Sequence, residues 1–169
     1  MATYNCFLDT HVLSDFLFQF DSSLPNSLLE PKGFLTSKML QKINPLIEGE
    51  GRDGIVITSV FNFVEVLNKF DEIYGDDAKK MMVKLYGFLN QTPEWFLIDD
   101  MNISTANALI DVPIRNQFGE SISGDDAILI ATALLRDNVF FCTFDNRLEG
   151  LNIKNMSFIN SSFKIQYMA

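Results

Sequence analysis

The chain has little positive charge. Its 169 residues include 13 Lys plus Arg against 22 Asp plus Glu, which gives a formal net charge of −9. A protein that binds nucleic acid over an extended surface usually carries a basic patch, because neutralising phosphates drives the affinity. The acidic balance argues against such a surface. Any role on nucleic acid must therefore depend on a local site, on bound metal or on a basic partner.

Cysteine and histidine are equally scarce. Cys6 and Cys142 are the only cysteines and His11 is the only histidine, so the sequence contains no zinc-binding pattern. Each cysteine lies within an apolar run. This placement predicts two buried, reduced thiols rather than a disulfide.

Long hydrophobic runs are also missing. No apolar stretch reaches the roughly 20 residues of a transmembrane helix. The N-terminus shows no basic stretch followed by an apolar segment, so we expect no signal peptide and a cytoplasmic protein without a membrane segment. Hydrophobic residues nevertheless make up 47% of the chain and include 16 Phe, enough for a packed core. The length suits one domain over residues 1–169.

Short apolar segments alternate with helical patterns along the chain. Strands are predicted at 4–8, 55–58, 95–98, 139–144 and 156–159. Helices are predicted at 11–19, at 37–48, after a cap at Ser59, at 76–90, from Ser104 or Thr105 to Leu109, and at 124–137 after a cap at Ser123. Strands this apolar are typical of a parallel sheet covered on both faces. The sequence therefore predicts a three-layer α/β/α fold with a mostly parallel sheet of about five strands.

Two segments fall outside this regular pattern. Residues 21–50 form an enlarged loop and helix segment between the first helix and the second strand. The tail after residue 160 is predicted to be either an extra edge strand or an arm that binds a partner.

Four acidic residues occupy equivalent places in the strand and helix pattern. Asp9 and Asp145 follow apolar strands, whereas Glu65 and Asp126 lie near the first turns of helices that pack on the sheet. Carboxylates avoid apolar surroundings unless their charge is compensated. In parallel sheets, ligands bind beyond the carboxyl ends of the strands. Because hard divalent cations take oxygen ligands, the four acids predict a Mg²⁺ or Mn²⁺ site.

Each acid also has an ordinary structural interpretation. Asp9 is suited to capping a helix, Asp126 to a capping box, Glu65 to an exposed helix face and Asp145 to a turn. None of the four is specific when taken singly, so the prediction depends on their joint placement. Asp125 shares the first helical turn with Asp126 and is expected to act as a cap or to support the ligands, although the sequence leaves the choice between the two open.

The sequence resembles the PIN-domain family, of the kind found as VapC-type toxins in bacteria and archaea. The resemblance is carried by FLDTHVL at 7–13, ITSVFNFVEVL at 57–67, DDAILIATALL at 125–135 and TFDNRL at 143–148. These motifs occur in the family's order and span roughly residues 4–160. The third and fourth motifs together are the more specific ones.

The resemblance implies a metal-dependent endoribonuclease that cleaves RNA with Mg²⁺ or Mn²⁺. It implies that Asp9, Glu65, Asp126 and Asp145 are the metal-binding catalytic acids and that Thr143 holds the metal or its ligands in place. Members of this family act as toxins whose antitoxin partner blocks the site, and homodimers are common among them. RNA, an antitoxin and a second copy of the chain are therefore the expected partners.

Other functions stay open at the level of sequence. A catalytically inactive PIN-like module that binds protein or RNA would agree with the net charge and with the enlarged segment at 21–50. A phosphatase with an aspartyl nucleophile is disfavoured, since the first strand runs into Asp9-Thr10-His11 and not into Asp-x-Asp. We expect His11 to orient its neighbours rather than to act as a general base.

Overall fold

The computed structural model describes residues 5–19, 55–92, 96–148, 151–154, 156–159 and 165–166. The predicted segment at 21–50, with its helix at 37–48, lies outside these ranges. Within them, no helix is both long enough and apolar enough to span a membrane.

The described residues form strands and helices in alternation. The strands are β1 (Asn5–Leu8), β2 (Ile55–Ser59), β3 (Phe96–Asp99), β4 (Val139–Cys142), β5 (Met156–Ile159) and β6 (Ile165–Gln166). The α-helices are α1 (Thr10–Gln19), α2 (Val60–Asn68), α3 (Phe70–Tyr74), α4 (Ala78–Asn90), α5 (Ile103–Ala108) and α6 (Gly124–Leu134). Short 3₁₀ turns lie at Gly75–Asp77, Leu109–Asp111 and Asn146–Leu148.

The strands form one sheet with the order β3-β2-β1-β4-β5-β6. The first five strands in this order are parallel, and β6 pairs antiparallel with β5. This confirms the predicted α/β class and shows that the tail contributes an edge strand. The strand order changes direction at β1 and β4, which are neighbours although they are distant in the chain. A crevice for ligands forms at such a switch point, beyond the carboxyl ends of the two strands.

Alternating side chains of the strands enter two separate cores. Cys6 and Leu8 of β1 face one core, which also contains residues of α1, α2, α3 and α4. Phe7 faces the other core and stacks on Phe141 of β4 with ring centroids 5.3 Å apart. That second core is closed by the apolar side of α6. The sheet is therefore covered on both faces, as the apolar strands predict.

Polar side chains define where the helices begin. The Ser59 hydroxyl accepts from the Asn62 backbone N–H, and the Asn62 side chain accepts in turn from the Ser59 N–H, which makes a reciprocal cap for α2. The Ser123 hydroxyl accepts from the Asp126 N–H at 3.1 Å. Both predicted caps are confirmed.

The predicted start of α5 at Ser104 or Thr105 is wrong. The helix begins at Ile103, and the Asn102 side chain accepts from the backbone N–H groups of both Ser104 and Thr105. Asn is a strong N-cap because its short side chain reaches these otherwise unpaired donors.

Other boundaries differ by a few residues, and α3 was not predicted. The last predicted turn of α6 is replaced by tighter bonds, such as the one from the Arg136 N–H to the Ala133 carbonyl at 3.1 Å. Asn138, directly before β4, adopts a positive φ of 53°, a conformation that Asn tolerates better than most residues. Strand β4 ends at Cys142 rather than at residue 144, and β3 extends to residue 99 rather than 98, whereas residue 95 lies outside the described residues.

Phe16 lies in the core on the α1 side of the sheet, and its replacement tests how much this core contributes to stability. It is fully buried and stacks on Phe96 with centroids 5.6 Å apart. We expect Phe16→Ala to lower the free energy of unfolding by about 3–5 kcal/mol, because burial and packing are lost and a cavity remains. Urea denaturation followed by circular dichroism measures this change. The matched control is Phe118→Ala, a ring 63% exposed, for which a loss above about 0.5 kcal/mol would be unexpected.

Candidate functional site

Asp9 lies directly after β1, at the middle of the carboxyl edge of the sheet. Its backbone N–H donates to the Cys142 carbonyl at 3.1 Å, which continues the pairing of β1 with β4. One oxygen of its carboxylate accepts from the Val12 N–H at 3.2 Å, so Asp9 also caps α1. Only 8% of the residue is exposed. The capping role and a role in a site therefore coexist at this position.

Burial dominates the electrostatics of Asp9. The pKa of its carboxyl is raised from 3.8 to about 6, chiefly by loss of hydration on burial and to a smaller extent by the charge of Asp126. Hydrogen bonds from Thr143 and from the Val12 N–H, together with the charge of His11, act in the opposite direction but do not offset burial. The surroundings of Asp9 therefore favour its neutral form unless a further cation compensates the charge.

Thr143 connects the ends of the two central strands. Its side chain is buried, and its hydroxyl hydrogen bonds to the Asp9 carboxylate and accepts from the Asp145 N–H at 3.0 Å. A single hydroxyl thus orients the carboxylate after β1 and the turn after β4. The sequence predicted a supporting role for Thr143, and this geometry is compatible with that role.

Asp126 reaches the same region from the first turn of α6. Its side chain is 24% exposed. Burial raises the pKa of its carboxyl, as do the charges of Asp145 and Asp125, whereas the Ser123 hydroxyl and Arg147 lower it. Asp125 is exposed to solvent. Of this pair of aspartates, Asp126 is the one whose charge acts on the carboxyl of Asp9.

Asp145 is bound by an arginine that the sequence reasoning did not single out. The Arg147 Nε lies 3.0 Å from each Asp145 oxygen, and its Nη2 lies 2.5 Å from Oδ2. The same Nη2 lies 3.9 Å from an oxygen of Asp126. Hydrogen bonding from Arg147 is the main reason why the pKa of Asp145 is lowered. The signal in the sequence was the spacing Asp145-Asn146-Arg147, since a turn brings residues i and i+2 together.

Glu65 lies on α2 and contacts the site through Thr10. The Thr10 hydroxyl donates to a Glu65 carboxylate oxygen and accepts from the Asn62 side-chain amide at 3.2 Å. Thr10 follows Asp9 in the chain, so this contact holds Glu65 beside the start of α1. Among the described residues, no salt bridge joins Glu65 to Lys69, which lies four residues further along the chain.

The structure brings the predicted acids together only in part. The charge of Asp126 acts on Asp9 and that of Asp145 acts on Asp126, whereas Glu65 accepts from Thr10, the residue after Asp9. However, within the part of the chain that the structure describes, no three His, Cys, Asp or Glu side chains are close enough to hold one metal ion in this arrangement. Arg147 occupies the Asp145 carboxylate instead.

The donor chemistry nevertheless fits Mg²⁺ or Mn²⁺. All the candidate ligands are carboxylates, and Mg²⁺ commonly binds proteins through one or two carboxylates while it keeps several waters. Among the described residues, the buried Asp9 carboxylate receives hydrogen bonds from neutral groups, Thr143 and the Val12 N–H. A divalent ion beside it would supply the compensation that these groups leave incomplete.

Cys6 and Cys142 lie behind the site, in the core on the α1 side of the sheet. Both are free and buried, with their sulfurs 3.3 Å apart. This confirms the prediction of two buried thiols. A hydrogen bond with Cys6, together with burial, raises the pKa of Cys142 well above its ordinary value, so the Cys142 thiol stays protonated.

The fold is similar to that of a solved structure. Comparison with protein-family models gives no match, and comparison with curated proteins gives none either. Among solved structures, the chain is similar to one described as VapBC2 from Rickettsia felis bound to a DNA fragment from their promoter. The sequence identity is 16%, the TM-score is 0.56, and the match covers 92% of this chain and 98% of the other. At this identity, the similarity supports the fold alone.

The raised pKa of Asp9 makes stability depend on pH. The folded state binds the Asp9 proton more tightly than the unfolded state does, so this contribution is fully present below about pH 3.8 and is lost as the pH rises through about 6. The difference between 3.8 and about 6 corresponds to roughly 3 kcal/mol. In EDTA, Asp9→Asn should abolish this loss of stability at higher pH. Its free energy of unfolding at pH 7 should therefore exceed that of wild type by up to roughly 3 kcal/mol.

Urea denaturation of wild type and Asp9→Asn at pH 4 and pH 7.5 measures this effect. Asp111→Asn is the matched control, because it makes the same change at an exposed carboxylate. If wild type and Asp9→Asn lost equal stability between the two pH values, the Asp9 carboxyl would not carry the raised pKa.

Proposed function

We propose that the chain is a Mg²⁺- or Mn²⁺-dependent endoribonuclease of the PIN-domain type. The observation that carries this proposal is the buried Asp9 carboxylate at the switch point of a parallel sheet, in electrostatic contact with Asp126, whose own charge interacts with Asp145. These three acids come from β1, α6 and the turn after β4. A buried carboxylate such as that of Asp9 destabilises a fold unless its charge is compensated, and a cluster of acids with perturbed pKa values marks a candidate functional site.

In this proposal Asp9, Asp126, Asp145 and Glu65 hold the metal. The bound ion supplies an activated water and polarises the phosphoryl oxygen. Positive charge at this point also lets a chain with a net charge of −9 accept a phosphodiester. The fold supports the proposal, since Asp9 follows a central strand of a parallel sheet, at the edge where such sheets bind ligands.

The remaining side chains have positioning roles. Thr143 and the Val12 N–H fix the Asp9 carboxylate in one orientation, which keeps its free lone pairs available for a ligand. Thr10 orients Glu65 in the same way. Asp125, which is exposed in the first turn of α6, adds negative charge near Asp126 and would support metal binding without direct ligation.

The partners follow from the same proposal. RNA is the substrate, and the chain acts as the toxin of a toxin–antitoxin pair in the cytoplasm. The similarity to a VapBC2 structure supports an antitoxin as the protein partner. A homodimer is expected from the family resemblance and is part of the proposal.

A catalytically inactive PIN-like module is the second candidate. It is favoured by one observation, that no metal-binding cluster of three such side chains occurs among the described residues. In that case Asp145 and Arg147 form a permanent surface ion pair, and the chain binds protein or RNA without cleaving it.

Cleavage assays separate the two candidates. Asp9→Asn and Asp126→Asn should each lower cleavage of a mixed single-stranded RNA pool by about 100-fold or more, because several kcal/mol of transition-state stabilisation are lost with the metal. Cleavage should require Mn²⁺ or Mg²⁺ and should stop in EDTA. Calorimetry should show weaker Mn²⁺ binding by the same variants.

The control for these variants is Asp77→Asn, an exposed acid in the 3₁₀ turn before α4, which should cleave at the wild-type rate. Full activity of either Asp9→Asn or Asp126→Asn would contradict the metal mechanism. A folded wild type that binds neither Mn²⁺ nor Mg²⁺ would favour the inactive module.

A further inference from the structure

Arg147 contacts two of the acids that the proposed function assigns to the metal. Its guanidinium binds Asp145 through Nε and Nη2, at 3.0 and 2.5 Å, and its Nη2 is 3.9 Å from Asp126. This one side chain therefore lies between two carboxylates that come from different elements. Its positive charge lowers the pKa of both, as a metal ion would.

A guanidinium and a metal ion cannot fully use the same carboxylate oxygens. Nε donates to both oxygens of Asp145, Nη2 donates to Oδ2 and the Arg147 backbone N–H donates to Oδ1, so each oxygen already accepts two hydrogen bonds. A divalent ion that binds Asp145 must displace at least one of these bonds, so the ion and Arg147 compete. This competition gives a physical reason why the described acids do not form a three-ligand cluster in the present arrangement.

Arg147 is free to move once it is displaced. Its side chain is 64% exposed, whereas those of Asp126 and Asp145 are 24% and 23% exposed. The polar contacts recorded for its guanidinium are those with the two aspartates, so rotation breaks no link to the core. The released guanidinium stays beside the site, because its backbone N–H still donates to Asp145 at 2.9 Å.

We infer that Arg147 exchanges partners: it neutralises Asp145 and Asp126 in the metal-free protein and binds an RNA phosphate once a divalent ion displaces it. The inference rests on the proposed metal-dependent nuclease function. A guanidinium is suited to both partners, since its planar fork matches carboxylate and phosphate oxygens alike. Because the chain has a net charge of −9, the Arg147 guanidinium beside the acidic site is one of few cationic groups available to bind the substrate.

The exchange predicts opposite effects of one substitution on two ligands. Arg147→Ala should tighten Mn²⁺ binding about five-fold, because the ion no longer displaces an exposed ion pair. The same variant should weaken binding of a short single-stranded RNA about ten-fold, because a charge-assisted contact is lost. The slope of log affinity against log salt should fall by about 0.7, as expected for one phosphate contact.

Calorimetry with Mn²⁺ alone measures the first effect. Fluorescence anisotropy of a labelled single-stranded RNA in Ca²⁺ measures the second, with a gel to verify that the RNA stays intact. Arg147→Lys keeps the charge but loses the fork, so its Mn²⁺ affinity should stay near that of wild type and its RNA affinity should lie between those of wild type and Arg147→Ala.

Arg136→Ala is the matched control. Arg136 forms an ion pair with Asp99 at the same 2.5 Å distance, outside the acidic site. Its removal should change neither affinity. Equal effects of Arg136→Ala and Arg147→Ala would mean that a general loss of charge is responsible, which overturns the exchange.

The remaining outcomes separate this inference from the proposed function. If wild type binds Mn²⁺ but Arg147→Ala binds it no more tightly, or binds RNA as well as wild type does, the exchange is wrong and the metal site stands. If wild type and Arg147→Ala are folded and neither binds Mn²⁺, both the exchange and the proposed function are wrong.

Discussion

The burial of one carboxylate at the end of the central strand is the constraint on which the rest of the site depends. β1 has a strand on each side and a helical layer on each face, so Asp9 cannot reach bulk water. The fold supplies only partial compensation, through Thr143, the Val12 N–H and the more distant charge of His11. A carboxyl with a pKa near 6 in this position is a cost to stability that a bound cation would remove.

The pKa values of the three aspartates in the site are shifted in different directions. The pKa of Asp9 is raised mainly by burial, whereas that of Asp145 is lowered mainly by Arg147. Without metal, therefore, a proton is held most readily on Asp9, at the buried end of the site, and negative charge on Asp145, at the exposed end. Asp126 lies between these extremes, since burial raises its pKa while Arg147 lowers it. Burial sets the pKa at the Asp9 end of this gradient and Arg147 sets it at the Asp145 end, because the exposed guanidinium contacts Asp145 and Asp126.

Much of the architecture could be predicted from local patterns. Continuous apolar runs marked the five parallel strands, and Ser59 and Ser123 marked two helix starts, because a cap acts on donors only two or three residues away. The errors also have local causes. Asn102 caps α5 in place of the hydroxyl residues that follow it. Helix α3 has only 5 residues, which is too short to show a helical period. The observed strand ends differ from the predicted ones because a strand stops where its hydrogen bonds to the neighbouring strand stop. Patterns within one segment of the chain do not encode this pairing.

The sequence by itself determined that the chain is an α/β domain and that acids stand after the strands and in the first turns of helices. Those features depend on residues close together in the chain. Only the tertiary structure decided which acids meet. Thr143 reaches Asp9 because β4 lies beside β1, and Thr10 contacts Glu65 because α1 packs near α2. The pairing of Arg147 with two carboxylates likewise required the position of α6 relative to the turn after β4. Strand order sets these distances, and hydrophobic periodicity carries no information about strand order.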